Sequence, residues 1–258
     1  MFALRRNVEL SRSLASSRRR DMRFRVVPYG GFELANFAAV LLTALALAAV
    51  MLDPYLTVWQ EHLPPRLVDV FQTVTRFGKS DWILVSTGSF FLAMLMLDAS
   101  ALKARLRVRR AMRALAAGYV FAAVALSGII ANLSKNIIGR ARPKYFNETG
   151  SLSFDFWSGD SSWASFPSGH ATTAMALGVA LALLFPRLRW VFLCLCFWIA
   201  VSRLFVEAHY PSDVIAGGML GGLTAWLMAR ALARRRLVFG FGHDGQLVRR
   251  KGASGRLL

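Results

Sequence analysis

Polar side chains that could do chemistry form three short clusters, each beside a long apolar stretch of this 258-residue chain. The clusters are Lys135 with Arg142 and Pro143, then Pro167-Ser168-Gly169-His170, then Ser202-Arg203 with His209 and Asp213. Cations attract an anion, and histidine can give or take a proton near neutral pH. These residue types therefore indicate chemistry on an anionic group.

The first cluster holds two cations at the end of an apolar segment. Lys135 and Arg142 are seven residues apart, so on a helix that runs as far as Pro143 they lie on nearly the same face. Together they would suit a bound anion. Taken alone, the pair fits a simpler role better, in which Lys and Arg anchor a helix end at the membrane boundary.

The second cluster opens an unbroken apolar run. Ser168 is a helix-capping residue, and Gly169 lets the backbone come close to a ligand. The free N–H groups of a helix N-terminus bind anions, and His170 could donate a proton there. An ordinary cap with a satisfied histidine fits the same residues.

The third cluster combines a histidine with an acid. Pro211 is expected near the first helical position, with Asp213 in the first turn and His209 on the adjoining loop. A carboxylate beside an imidazole fixes its tautomer, as a nucleophile or base requires. The alternative is a capping Asp with a chance His neighbour.

The composition is typical of a membrane protein. Hydrophobic residues make up 55% of the chain and charged residues 18%, against about 25% charged in soluble domains. Uncharged segments that favour helices are Leu34–Leu52, Trp82–Leu97, Ala114–Ser134, Ala171–Phe185, Trp190–Ser202 and Val214–Ala229. We predict an all-α, polytopic six-transmembrane-helix bundle over residues 31–236, with a basic arm, 1–30, and a basic tail, 237–258.

Lysine and arginine are distributed unevenly between the connections. With six alternating spans, 24 of the 32 lie on the side of the termini and 8 on the other. The positive-inside rule then places both termini in the cytoplasm, and it explains the net charge of +18 without nucleic acid. The arm lacks the apolar core of a secretory signal. A solvated cytoplasmic arm is the simpler explanation, and an Arg-rich transit peptide stays open.

All three polar clusters fall on the non-cytoplasmic side of this arrangement. Membrane anchoring would explain the cations, but it does not explain why His170, His209 and Asp213 join them at one membrane depth. We therefore predict a single convergent anion site.

The clusters resemble the three-part signature of the type 2 phosphatidic acid phosphatase superfamily, a family of membrane lipid phosphate phosphatases. The matching pattern is Lys135-x6-Arg142-Pro143, Pro167-Ser168-Gly169-His170 and Ser202-Arg203-x5-His209-x3-Asp213. Every specified residue is present, in order and with the internal spacing of the family. The resemblance extends over about 200 residues when the helices are included.

The resemblance implies a metal-independent phosphatase that acts through a phosphohistidine. His209 would be the nucleophile, activated by Asp213, and His170 would protonate the leaving oxygen. The residues implied in phosphate binding are Lys135, Arg142, Ser168, Gly169 and Arg203. No cluster has metal-ligand spacing, so we expect neither a metal nor another cofactor.

The implied partners are a lipid phosphate substrate and the surrounding membrane lipids. Isoprenyl diphosphate, phosphatidylglycerophosphate, phosphatidic acid and lipid A phosphate all fit. We expect a bacterial inner-membrane protein with its site at the periplasmic face; the sequence leaves the oligomeric state open. The alternatives are a phosphotransferase of the same family, a lipid-phosphate transporter or binding protein, and a vanadium haloperoxidase, against which the apolar spans argue.

The 23-residue connection between the first two clusters, residues 144–166, carries seven aromatic residues. A loop of this length and composition is usually functional. A lid or platform beside the substrate and an aromatic anchor at the membrane interface are both compatible with it.

The predicted sidedness can be tested with single cysteines at Ser158 and Ser254, after Cys194 and Cys196 are replaced by Ala. We expect Ser158→Cys to react with a membrane-impermeant thiol reagent on intact cells or spheroplasts, and Ser254→Cys only after permeabilisation. The reverse labelling pattern would place the site on the cytoplasmic face.

Overall fold

The structure, a computed structural model, describes residues 7–9, 20–98 and 102–250. Its main helices are α1 (Gly31–Gln60), α2 (Pro65–Arg76), α3 (Ser80–Met96), α4 (Ala104–Ile138), α5 (Gly169–Leu184), α6 (Arg189–Phe205) and α7 (Pro211–Arg234). Two strands, β1 (Phe239–Phe241) and β2 (Leu247–Arg249), pair as an antiparallel hairpin. The prediction of a mostly helical chain is confirmed.

Each of the six apolar segments predicted from the sequence lies in a helix, apart from the last residue of two of them, Leu97 and Phe185. Among the described residues, α1, α4, α7 and the stretch Pro186–Phe205 that contains α6 are long and apolar enough to cross a membrane. Helix α5 is apolar but has 16 residues, and α3 has 17. The count of six spans therefore stays a prediction.

Helix α2 was not predicted from the sequence. It follows α1 after a short turn and lies against α6, where the ring of Phe71 stacks on that of Phe205 at 3.8 Å between centroids. The helix has polar residues along its other faces, so its pattern lacks the uncharged run that marked the spans.

Helices α4, α5, α6 and α7 form the core of the bundle. Small residues let α5 and α7 approach closely: a β-carbon at Gly217 would lie 2.4 Å from the Ser168 carbonyl oxygen, and one at Gly221 would lie 2.1 Å from that of Thr172. Such close backbone contact is typical of membrane helix pairs. Because α5 carries the second polar cluster, this contact also sets the position of the candidate site.

The β-hairpin packs on the end of the bundle where α7 finishes. Phe239 is fully buried and meets the ring of Tyr119 edge-on at 5.1 Å, and Phe241 contacts Phe24 of the N-terminal segment at 5.2 Å. Arg230 joins these parts by donating hydrogen bonds to carbonyl oxygens of residues 25 and 26. Parts of the predicted arm and tail thus pack against the bundle, while Ser254 lies outside the described residues.

Consecutive helices of the core run in alternating directions. As a result α4 and α6 end at the same side of the bundle where α5 and α7 begin. This end carries all three polar clusters.

The close contact between α5 and α7 predicts a large difference between two neighbouring glycines. Gly221→Ala should lower the stability of the protein by about 1–3 kcal/mol, because the new methyl group collides with backbone. Gly222→Ala is the matched control, since its β-carbon would lie 3.5 Å from Val179, an ordinary contact. Thermal unfolding of the purified proteins in detergent measures both. Equal stability of the two variants would contradict the close approach.

Candidate active site

The three polar clusters converge at one end of the core bundle. Lys135 lies in the last turn of α4 and Arg203 in the last turn of α6, whereas His170 lies in the first turn of α5 and Asp213 in that of α7. Lys135, Arg142 and Arg203 are close enough to repel one another electrostatically. The structure therefore brings together all the site residues predicted from the sequence.

The route of the chain from Lys135 to Arg142 differs from the prediction. Helix α4 ends at Ile138, and Gly139 follows with a φ of +56°, where a β-carbon would lie 1.7 Å from the Asp155 carbonyl oxygen. The expectation that one helical face carries both cations is thus wrong. A left-handed turn that only glycine can make brings Arg142 back toward Lys135.

Beyond this turn Arg142 is held by the aromatic loop. Its backbone is extended, its Nε donates to the Ser161 carbonyl oxygen at 2.9 Å, and its N–H donates to that of Ser162 at 3.1 Å. On the exposed side of the same loop, Phe154 stacks on Phe156, and Trp157 is exposed. The loop thus positions a site cation and presents aromatic rings outward.

The beginning of α5 is fixed to α7 through Ser168. This residue is fully buried, its Oγ accepts from the Ala171 N–H at 3.5 Å, and its own N–H donates to the Asp213 carbonyl oxygen at 3.0 Å. The predicted capping role is confirmed. The next residue, Gly169, is not in unusually close contact, because a β-carbon there would lie 3.5 Å from Lys135 Nζ, a normal van der Waals distance.

A cavity of about 650 Å³ opens beside these residues, between α3, α4 and α5. Lys135, Gly169 and His170 line its inner end, and its apolar wall includes Leu84 and Val124. Further polar residues along the cavity are Lys79, Ser80, Asp81 and Asn132. Sequence reasoning missed these four residues, because they belong to no motif and lie up to 56 positions from the nearest cluster partner.

His209 lies beside Asp213 but does not yet share a hydrogen bond with it. His209 Nδ1 is 3.7 Å from Asp213 Oδ2, it is buried, and it has no hydrogen-bond partner among the described residues. Burial lowers the pKa of His209 to about 4, with the neighbouring cations acting in the same direction and Asp213 opposing them. The imidazole is therefore neutral at physiological pH. The prediction that Pro211 lies at the start of the following helix is confirmed, since α7 begins there.

Asp213 is held by a set of donors that the sequence motifs do not contain. Its Oδ1 accepts from Arg140 Nη1 at 2.6 Å, and its Oδ2 accepts from Ser165 Oγ at 2.6 Å and from the Tyr210 N–H at 2.9 Å. The carboxylate is fully buried, so these bonds replace its hydration. Its orientation toward His209 is set by them.

Arg140 in turn bridges Asp213 to a second buried acid, Asp53. Its Nη2 donates to Asp53 Oδ2 at 2.7 Å, and Asp53 also accepts from the N–H of Ser212 at 2.9 Å and from its Oγ at 2.5 Å. Burial alone would lower the pKa of Arg140, but the two carboxylates outweigh it and raise the pKa above the ordinary value. We call this set the Asp53–Arg140–Asp213 network.

Sequence reasoning missed Asp53 and Arg140. Asp53 follows a π-helical turn in α1, Ala48–Leu52, and no spacing pattern links it to the motifs. The sequence offered two signals for these residues. Asp53 directly follows an uncharged span, and Arg140 lies within the first motif, but neither position indicates which residue the side chain contacts.

Arg203 is positioned by the helix that sequence reasoning did not find. Its Nη1 donates to Thr75 Oγ1 at the end of α2, at 2.7 Å, while its buried Nε has no hydrogen-bond partner among the described residues. An unpaired guanidinium N–H inside a cluster of cations is suited to an anionic ligand.

The charges around the site are unbalanced in favour of an anion. The cations Lys135, Arg140, Arg142 and Arg203 face two carboxylates, which leaves two positive charges in excess. A phosphate monoester dianion would neutralise them. Among the described residues, no three His, Cys, Asp or Glu side chains form a group that could hold a metal ion; a reaction without metal stays a prediction.

Comparisons with known proteins point to one family. The model of the PAP2 superfamily matches residues 116–237. The lipid A 1-phosphatase of Rhizobium etli is 38% identical over 208 residues, 80% of this chain and 88% of that protein. The lipid A 1-phosphatase of Rhizobium johnstonii is 37% identical over 206 residues, 80% of this chain and 84% of that protein.

A solved structure is also similar. The crystal structure of a transmembrane PAP2 type phosphatidylglycerolphosphate phosphatase from Bacillus subtilis matches with a TM-score of 0.46 and 18% identity, over 88% of this chain and 94% of that one. The signature residues, their convergence and the relatives that match most of the chain lead to one conclusion. This chain is a membrane phosphatase that belongs to the PAP2 superfamily.

Proposed function

We propose that this protein hydrolyses a lipid phosphate, and that its substrate is the 1-phosphate of lipid A. The observation that carries the choice of lipid is the similarity to lipid A 1-phosphatases along 80% of the chain, which includes the cavity-lining helices as well as the motifs. The phosphate chemistry itself is supported by the two excess positive charges of the site.

In this proposal the cation cluster binds the phosphate oxygens. Lys135, Arg142 and Arg203 supply charge, and the Gly169 N–H together with the Ser168 hydroxyl completes the set at the start of α5. Charge on the equatorial oxygens is stabilised most by donors that are already in place before the reaction. The hydrogen bonds that hold Arg142 and Arg203 to Ser161 and Thr75 provide this preorganisation.

His209 attacks the phosphorus with its Nε2 atom. A carboxylate can only accept, so the Nδ1 that faces Asp213 carries the proton and Nε2 keeps its lone pair. The N–P bond forms as the bond between phosphorus and the lipid oxygen breaks. His170, protonated once the bound phosphate dianion has neutralised the nearby cations, gives its proton to the departing oxygen, then takes one from the water that cleaves the N–P bond and releases phosphate.

Asp213 can serve His209 only if its carboxylate stays ionised and correctly turned. The Asp53–Arg140–Asp213 network does both, because Arg140 compensates the charge and the bonds from Ser165 and Tyr210 fix the orientation. The 3.7 Å separation is expected to shorten when His209 becomes positively charged on attack. Asp53 is therefore a positioning residue.

The cavity beside His170 is suited to the rest of the lipid. Lipid A is an acylated glucosamine disaccharide, so its head group needs polar partners and its chains need an apolar wall. Lys79, Asp81 and Asn132 supply the polar partners, and Leu84 and Val124 supply the apolar wall. The periplasmic site and inner-membrane location inferred from the charge distribution would give access to lipid A on the outer leaflet.

A phosphotransferase of the same family is the alternative to a hydrolase. A transferase would use the same phosphohistidine but pass the phosphoryl group to an acceptor other than water. A non-catalytic lipid-phosphate transporter is disfavoured, because the long-matching relatives are named phosphatases and a transporter would need the cations but not the two histidines. His209→Ala should abolish phosphate release.

Asp53→Asn tests the positioning role of the network. We expect kcat to fall by about 100-fold with little change in KM, because Asp53 does not reach the phosphate but a misplaced His209 reacts poorly. Asp69→Asn, an exposed acid on α2, is the control and should leave both parameters unchanged. A variant that loses stability but keeps kcat per folded molecule would show a purely structural role.

His170→Ala tests the general acid. The loss of kcat/KM should be large for alkyl phosphates and small for an aryl phosphate such as p-nitrophenyl phosphate, whose leaving group needs no proton. His209→Ala is the comparison, since loss of the nucleophile should harm both substrates alike. Equal damage to both substrates by His170→Ala would contradict the assignment.

Phosphate release from a panel of lipids tests the proposed substrate. Purified protein should release one phosphate from lipid A, with mass spectrometry locating the loss at position 1, and should act more slowly on undecaprenyl diphosphate, phosphatidylglycerophosphate and phosphatidic acid. EDTA should not change the rate. Preference for another lipid would overturn the substrate, and loss of activity in EDTA that a divalent ion restores would overturn the metal-free reaction.

A further inference from the structure

A second cavity lies at the opposite end of the bundle from the candidate active site. It measures about 670 Å³, a size that suits a small organic ligand, and it lies between α4, the ends of α3 and α5, and the β-hairpin. Five arginines line it, and no acidic residue does so among those that the structure describes; the arginines are Arg105, Arg109, Arg113, Arg249 and Arg250. We call it the arginine groove.

Three of these arginines lie on one face of α4. Arg105, Arg109 and Arg113 are spaced by four residues, so their side chains are neighbours and repel one another. None of the three makes a hydrogen bond or ion pair with another described residue. Arg110, in contrast, donates to the carbonyl oxygens of Met94 and Leu97 at the end of α3. Within the part of the chain that the structure describes, the α4 arginines of the groove thus lack a structural partner that would account for them.

The hairpin completes the groove from the other side. Arg249 donates to the Leu184 carbonyl oxygen and lies over the ring of Phe185, with 5.1 Å between the guanidinium carbon and the ring centroid. This fixed arginine faces the α4 arginines across an apolar floor. Residues of the floor are Phe90, Met112, Ala116, Ala117, Val120 and Leu181.

The depth of the arginines along α4 matches that of lipid phosphates. The uncharged run Ala114–Ser134 has 21 residues, which span about 31 Å in a helix, the thickness of the hydrocarbon core. With Lys135 at one boundary, Arg113 lies at the other, and Arg109 and Arg105 extend into the head-group region. The apolar floor continues toward the hydrocarbon.

From this arrangement we propose that the arginine groove binds one anionic phospholipid from the adjacent leaflet, with its phosphodiester on the arginines and an acyl chain on the floor. Arg105, Arg109 and Arg113, together with Arg249, provide the charge complementarity, and the apolar floor requires a lipid rather than a free anion. Arg109 and Lys135 are 26 residues apart, about 39 Å along α4. The groove is therefore separate from catalysis and does not depend on the proposed substrate.

The test is native mass spectrometry of the full-length protein, delipidated in neutral detergent and titrated with dioleoyl-phosphatidylglycerol or dioleoyl-phosphatidylcholine. The wild type should retain one phosphatidylglycerol and should bind phosphatidylcholine at least tenfold more weakly. The groove variant Arg105→Gln/Arg109→Gln/Arg113→Gln should weaken phosphatidylglycerol binding by about 100-fold. Inorganic phosphate at 10-fold excess over the lipid should not displace it.

The matched control removes the same charge from the same end of the bundle but outside the groove. Arg107→Gln/Arg187→Gln/Arg189→Gln should weaken binding less than about threefold. Binding of phosphatidylglycerol at the catalytic cluster would be equal in both triple variants and so would not affect the comparison. Equal weakening in the two variants would show a diffuse attraction to basic surface and overturn the proposal.

A second variant tests the apolar floor without changing charge. Ala117→Trp should fill the groove and lower phosphatidylglycerol retention by at least tenfold, while hydrolysis of p-nitrophenyl phosphate stays at the wild-type rate and shows that the protein is folded. Unchanged retention in this variant, or displacement of the lipid by inorganic phosphate, would contradict a lipid-binding groove.

Discussion

The position of Arg140 between two buried carboxylates is the constraint on which the rest of the site depends. Its side chain is 2% exposed, and Asp53 and Asp213 are fully buried. Such charges are tolerated only when each is paired and hydrogen-bonded, because the penalty for an uncompensated ion is several kcal/mol. Here the network has that form, with Ser212, Ser165 and the Ser151 carbonyl oxygen satisfying the remaining groups.

The network also connects parts of the chain that are far apart in sequence. Asp53 belongs to the first apolar helix, Arg140 to the turn after α4, and Asp213 to the start of α7. Since a guanidinium offers fixed donor directions, its bonds to Asp53 and Asp213 restrict how these three elements meet. His209, the proposed nucleophile, lies four residues before Asp213 on the loop that leads into α7, so its placement follows from the same arrangement.

The sequence predicted which side chains converge better than it predicted what holds them in place. Lys135, His170, Arg203, His209 and Asp213 could be identified because their types and local spacing carry the chemistry. Asp53 and Arg140 could not, because their contacts span 87 and 73 residues and leave no periodic pattern. The left-handed turn at Gly139 could not be predicted either, because a helix that continued through Arg142 would also bring Arg142 close to Lys135.

The membrane helices were predictable for a different reason. Uncharged runs are typical of helices that cross lipid, and each of the six falls on a helix, four of which are long and apolar enough to span a membrane among the described residues. Helix α2 and the β-hairpin gave no such signal, because each is short and is stabilised by tertiary contacts such as those of Phe71 and Phe239. These two elements nevertheless position Arg203 and complete the arginine groove.

We propose that the network holds His209 for direct attack on phosphorus. The stereochemistry of the reaction tests it most directly. A substrate whose phosphorus is made chiral with ¹⁶O, ¹⁷O and sulfur is hydrolysed in H₂¹⁸O, and the configuration of the released thiophosphate is determined. Two successive displacements through a phosphohistidine give retention of configuration. Inversion would show a single attack by water and would contradict the account.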